Sequence, residues 1–137
     1  MVEVERVKKR LSLLRETTGL LSDTVPKSEG EYASADRTTK DATERRLQII
    51  SEAELDIVKT LYKDLGRRVV GDEESLLRAM EDMLGKKVTE AVRRRRRLRN
   101  RLVHVYLDVD RTEVYQQASN LTDVEEFERT AARLVEP

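Results

Sequence analysis

The chain reads as an all-α protein, an antiparallel bundle of five or six helices, on three observations. Apolar residues recur every three or four positions along most of its length, which matches the turn of a helix and not the alternation of a strand. Aromatic residues make up 4% of the chain, with no Trp and one Phe, so the core must come from Leu, Val, Ile, Ala and Met; strands draw more heavily on aromatic side chains. The connections between apolar stretches are short, which sets successive helices antiparallel. A chain of 137 residues fits one domain, residues 1–137, that buries roughly two-thirds of the surface its unfolded form exposes.

Val4, Val7, Leu11, Leu14 and Leu21 predict a first helix from about Val2 to Ser22, closed by Thr24-Val25-Pro26. The stretch from Lys27 to Asp41, rich in Ser, Thr, Ala and charge, reads as a loop or the loosely packed start of the next helix. From Ala42 to Leu65 an apolar stripe of Leu47, Ile50, Ala53, Ile57, Val58, Leu61 and Leu65 is interrupted only by Glu54, and Gly66 supplies the stop. Glu73 to Leu84 follows, with Leu76, Leu77, Met80 and Leu84 inward and Gly85 ending it. Arg67-Arg68-Val69-Val70 is too short to compete as a strand. The next helix runs from Lys86 to about Val103, with Val88, Ala91, Val92, Leu98 and Leu102 on one side, and Leu107-Asp108-Val109-Asp110 reads as a turn. Asp110 can cap a helix to about Ser119, because its carboxylate accepts the open N–H groups of a first turn. Thr122 and Glu125 form a capping-box pattern for a last helix carrying Val124, Phe127, Ala131 and Leu134.

Charge narrows the functional classes. Lys and Arg number 27 and Asp and Glu 27, so net charge predicts no anionic partner and any basic surface must be local. The absence of Cys removes disulfides, thiolate metal sites and cysteine nucleophiles, and the single His rules out a multi-histidine metal site within one chain. No apolar run approaches the ~20 residues of a membrane span, and the N-terminus lacks the apolar run of a signal peptide, so a cytoplasmic protein without a membrane partner is expected.

The informative stretch is residues 93–106, in which seven arginines, the only histidine and a tyrosine fall within fourteen residues. Successive helical residues turn by about 100°, so Arg93, Arg94, Arg95, Arg96 and Arg97 cannot share a face. Arg95 points into the apolar stripe, where it must snorkel outward or meet an anion or a second subunit. The run is either a solvated face compensated by acids or a phosphate-binding surface. Its density favours the second, with Arg101 included, since the guanidinium fork suits phosphate. A lone His near a helix end often partners the last carbonyls, and a tyrosine there is often only half-buried; the Arg99-Asn100 pair upstream sets this His apart.

Arg99-Asn100-Arg101-Leu102-Val103-His104-Val105-Tyr106 resembles the signature of HEPN ribonucleases, an arginine and a polar residue followed by a histidine. Its R-x-x-x-x-H-x-Y form is similar to that of HepT toxins, as is the Leu-Val-His-Val-Tyr-Leu-Asp-Val-Asp continuation. Glu44-Arg45-Arg46-Leu47-Gln48 and Ala53-Glu54-Leu55-Asp56-Ile57 resemble the long second helix of that family, and the likeness extends roughly from Glu31 to Leu134. Arg97 also fits a looser spacing to His104, but Leu98 follows it where a polar residue belongs, so Arg99 is the motif arginine.

The resemblance implies a HEPN-like fold, a homodimer, and cleavage of RNA without metal or other cofactor. It implies a type VII toxin–antitoxin pairing with a cognate minimal nucleotidyltransferase, which silences the toxin by adding AMP units to Tyr106. Arg99 and His104 become catalytic and Asn100 supporting. In such cleavage the ribose 2′-hydroxyl attacks phosphorus, which needs a base and an acid, and imidazole suits both tasks. One chain offers one imidazole, whereas two chains about a two-fold axis offer a pair. Arg99 and His104 lie five positions apart, about 140° around a helix, so they converge if the helix frays near Val103 and a second subunit closes the gap. Two alternatives are a non-catalytic dimer holding nucleic acid or nucleotide through Arg93 to Arg101, and a structural module whose basic helix docks an acidic protein.

Overall fold

A computed structural model describes residues 2–67, 71–104 and 109–135, with side chains from residue 4 onward. Among the described residues there are seven helices and no strand: α1 (Val2–Thr24), α2 (Glu29–Ser34), α3 (Arg37–Asp64), α4 (Glu73–Leu84), α5 (Lys86–His104), α6 (Arg111–Ser119) and α7 (Thr122–Val135). No described helix is long and apolar enough to cross a membrane.

The 28-residue α3 is the spine. Its buried face carries Leu47, Ile50, Ala53, Ile57, Val58 and Leu61, and packs against α1, α5 and α4. On α1 the anchors are Val7, Leu11, Leu14 and Leu21, while buried Thr17 and Thr18 return their hydroxyls to the Leu13 and Leu14 carbonyls at 2.8 and 2.7 Å. Each such buried aliphatic contributes about 1.5–3 kcal/mol, so α1 is held by apolar burial first.

An ion-pair clamp adds to it. Arg6 Nη2 and Arg10 Nε donate to the two oxygens of Asp56 on α3 at 3.0 and 2.6 Å. Desolvation raises the Asp56 carboxyl, but the bonds and charges of Arg6 and Arg10 outweigh it and leave its pKa below the ordinary value. Its contribution is therefore present above the unfolded-state pKa and lost as pH falls through the lower folded value. Both arginines keep about half of their side-chain surface open to solvent, so Asp56→Asn should cost no more than about 1 kcal/mol at neutral pH. Urea unfolding at stepwise lower pH should show the gap between wild type and variant closing.

The segment expected as a loop or the loosely packed start of the next helix contains α2 and the first residues of α3, which raises the helix count above the five or six expected. Ser28 caps α2 by accepting the Glu31 N–H at 3.1 Å. The helix buries Tyr32, whose ring lies 5.9 Å from that of Tyr115 on α6. Tyr115 in turn donates its hydroxyl to the Pro26 carbonyl at 2.9 Å. Asp36 caps α3 through the Thr39 N–H at 2.8 Å, so that helix begins five residues before the expected Ala42.

The expected stops hold. Gly66 and Gly85 take φ of +73° and +90°, backbone that side-chain-bearing residues rarely adopt. Leu65 is the C-cap of α3 and is 45% exposed, so it ends the helix instead of extending its buried stripe. Asp110 caps α6 as expected. The expected Thr122–Glu125 box is a correction: the Thr122 hydroxyl bonds to Asn120 Oδ1, while the Glu125 N–H goes to the Leu121 carbonyl at 3.1 Å. The Arg68–Val70 stretch and the Leu107-Asp108 half of the expected turn lie outside the described residues.

Candidate active site

The candidate chemistry sits on α5, which faces α3, α4 and α7 at once. Five consecutive arginines radiate in all directions from such a helix, and each direction holds an acid. Arg93 pairs with Glu74 of α4 and Glu90, Arg94 with Asp123 of α7, Arg96 with Glu73 of α4 and Arg97 with Glu90. Further along, Arg101 pairs with Glu113 of α6. The run is thus largely matched within the chain.

Arg95 is the sharpest case, and it corrects the expectation that it binds RNA phosphate. It is 5% exposed, and Glu54, the interruption on the α3 stripe, is wholly buried opposite it. Arg95 Nε and Nη2 donate to the two Glu54 oxygens at 2.7 and 2.6 Å, and Nη1 donates to Asp123 Oδ1 at 2.7 Å. Desolvation opposes the guanidinium charge, yet Glu54 and Asp123 hold the Arg95 pKa above its ordinary value. Burial pushes the Glu54 carboxyl upward while Arg95 pulls it back. Two anomalies of the sequence therefore answer each other: a carboxylate on one apolar stripe and a guanidinium on another form a bidentate pair.

Arg99 is held from three sides. Its Nε donates to Asn100 Oδ1 at 2.9 Å and its Nη2 to Glu73 Oε1 at 2.8 Å, while Nη1 lies 3.9 Å from Glu52 Oε2. The same Glu73 oxygen accepts Arg96 Nε at 2.9 Å. The Arg99 side chain is only 14% exposed, so it is an oriented cation and not a waving one. Asn100 is thus a direct partner of Arg99. Glu73 and Glu52 were not singled out from sequence; the available signal was the Asp72-Glu73-Glu74 cluster at the start of α4.

His104 is the last residue of α5 and is exposed, next to Val103 at 46% exposure. The helix is unbroken to His104, which corrects the expected fraying near Val103. Along a regular helix Arg99 and His104 point about 140° apart, so one chain does not stack them as neighbours. What one chain presents is a restrained guanidinium and, one and a half turns on, an imidazole open to solvent. Tyr106 lies outside the described residues.

The comparisons with known proteins give the family. A family model described as "Ribonuclease HepT-like" matches residues 8–133. A protein of Archaeoglobus fulgidus named "Putative RNase" is 31% identical over 106 residues, covering 77% of this chain and 78% of that one. The solved structure of YutE, a cytosolic protein of unknown function from Bacillus subtilis, superposes with a TM-score of 0.80 at 18% identity, covering 96% of this chain and 90% of that chain. That likeness establishes the fold. The match across residues 8–133, which carries α5 and its Arg99 to His104 motif, places the chain in the HepT-like ribonuclease family.

Proposed function

We propose that this protein is a metal-independent endoribonuclease that acts in the cytoplasm as a homodimer, the toxin of a type VII toxin–antitoxin pair. The observation that carries the reading is the solvent-facing His104 five residues after an Arg99 that Asn100, Glu73 and Glu52 hold in place. In the dimer, His104 of one chain takes the proton of a ribose 2′-hydroxyl as it attacks phosphorus. The symmetry-related imidazole delivers a proton to the departing 5′-oxygen. Arg99 stabilises the charge that builds on the non-bridging oxygens, and its prior restraint removes the cost of orienting it during the reaction.

The internal matching of the arginine run counts against the reading in which Arg93 to Arg101 merely hold nucleic acid, because most of that charge is already engaged with carboxylates. Only Arg94 and Arg97 keep about half of their side-chain surface open.

The test is incubation of the purified protein with single-stranded RNA in excess EDTA. Attack by the 2′-hydroxyl should yield fragments ending in a 2′,3′-cyclic phosphate. Cleavage that appears only on adding a divalent cation would remove the metal-free mechanism. Control by a nucleotidyltransferase is tested separately: co-expression with the neighbouring gene product should raise the intact mass by whole AMP units mapping to Tyr106. Each added AMP brings a negatively charged phosphodiester close in sequence to His104, where it would compete with an RNA phosphate for the same cations.

A further inference from the structure

Beside Glu73 the structure holds a cavity of about 150 Å³ lined by Lys59, Tyr62, Lys63, Gly71, Asp72, Glu73 and Leu76. We infer that this cavity is a subsite for a backbone phosphate of the RNA strand away from the one being cleaved, with Lys59 and Lys63 as its binding groups. The inference rests on the ribonuclease reading above and shifts the strand-binding role away from the arginine run.

Three observations support it. Lys59, Tyr62 and Lys63 are spaced i, i+3, i+4 on α3, so they share one face of the helix. Both lysines are exposed, and neither has a carboxylate partner within 4 Å among the described residues, in contrast to all seven arginines of residues 93–101. An incoming phosphate therefore displaces no internal ion pair at Lys59 and Lys63, whereas at Arg93 or Arg96 it would have to.

The cavity is also joined to the candidate catalytic arginine through one carboxylate. Glu73 is part of its wall, and Glu73 Oε1 is the atom that accepts from both Arg99 and Arg96. The wall itself carries two cations, Lys59 and Lys63, and two acids, Asp72 and Glu73, of which Glu73 is already engaged by Arg96 and Arg99. Asp72 is engaged in capping α4 through the Ser75 N–H at 2.7 Å. The volume is below the ~300 Å³ of pockets that take drug-sized ligands, so it suits a phosphate with part of its sugar, not a whole cofactor. Buried Tyr62 and Leu76 give it an apolar floor, against which a ribose can lie.

The experiment measures binding of a single-stranded 2′-deoxy oligonucleotide, which lacks the attacking hydroxyl and stays intact, at several salt concentrations. Each single-strand phosphate contact adds about 0.7 to the slope of log affinity on log salt. The Lys59→Gln/Lys63→Gln variant should bind several-fold more weakly, with a slope shallower by about 0.7, the value of the one phosphate the two lysines share. A control variant, Lys27→Gln/Lys86→Gln, removes the same charge elsewhere and should keep the wild-type slope. Equal slopes for wild type and the Lys59/Lys63 variant, an equal loss in the control, or no measurable binding by the wild type would each overturn the subsite. RNA cleavage with a slope insensitive to Lys59 and Lys63 would sink the subsite alone. Lysine-dependent binding by a protein that leaves RNA intact would sink the ribonuclease reading and keep the site.

Discussion

His104→Ala should lower the rate of RNA cleavage by at least about 10²–10⁴-fold, the range that a positioned general acid or base supplies. The loss should fall at the upper end, because the only imidazole of the chain serves both roles across the dimer and one substitution removes both. The fold should not suffer: His104 is exposed at the end of α5 and is not part of the buried core. Unfolding of the variant should therefore superimpose on that of the wild type, which separates lost chemistry from lost structure. Cleavage by His104→Ala at the wild-type rate would end the mechanism. Arg99→Ala is a weaker discriminator, since it also strips Glu73 and Asn100 of a partner.

Arg95→Met should destabilise the protein by about 3–5 kcal/mol, because it leaves the Glu54 carboxylate in the core with no counter-charge. Methionine fills much of the same space, so the loss reports the stranded charge more than a cavity. Replacing both members, as Glu54→Leu/Arg95→Met, should recover most of that stability or exceed the wild type, since two desolvated ions are then replaced by apolar contacts. Asp123 is not stranded in either variant, as Arg94 Nη2 lies 3.3 Å from it. Urea unfolding of the three proteins is the measurement. A single variant within about 1 kcal/mol of wild type would mean that Glu54 sheds its charge or finds water, and that the pair holds nothing.

The same pair marks where the sequence could be read and where it could not. Helix ends at Gly66, Gly85 and Asp110 are local chemistry, decided by one residue's backbone or side chain, and they are legible. That Arg99, Asn100 and His104 share one helix is likewise legible, because a single apolar period runs through that stretch. The stretch from Lys27 to Asp41 reads as a loop or the loosely packed start of the next helix, and from Arg37 the second holds; positions 37–42 bury little, which leaves no apolar period to set the boundary. The cap signals at Ser28 and Asp36 were present and carried the answer. Glu54 and Arg95 each stood out as misfits, yet they are 41 residues apart, and only the packing of α3 on α5 shows that each is the other's solution. The acids that take up the rest of the run, Glu73, Glu74, Glu113 and Asp123, come from three further helices, so a reading along α5 alone mistook an internal network for an open surface.

That network ties α5 to α3, α4, α6 and α7, which makes it the hub through which most of the bundle is connected. No helix bearing one of those acids can peel away without exposing a guanidinium partner and loosening the others. Loosening of α4, α6 or α7 is consequently coupled to α5, so these helices should unfold together rather than one by one.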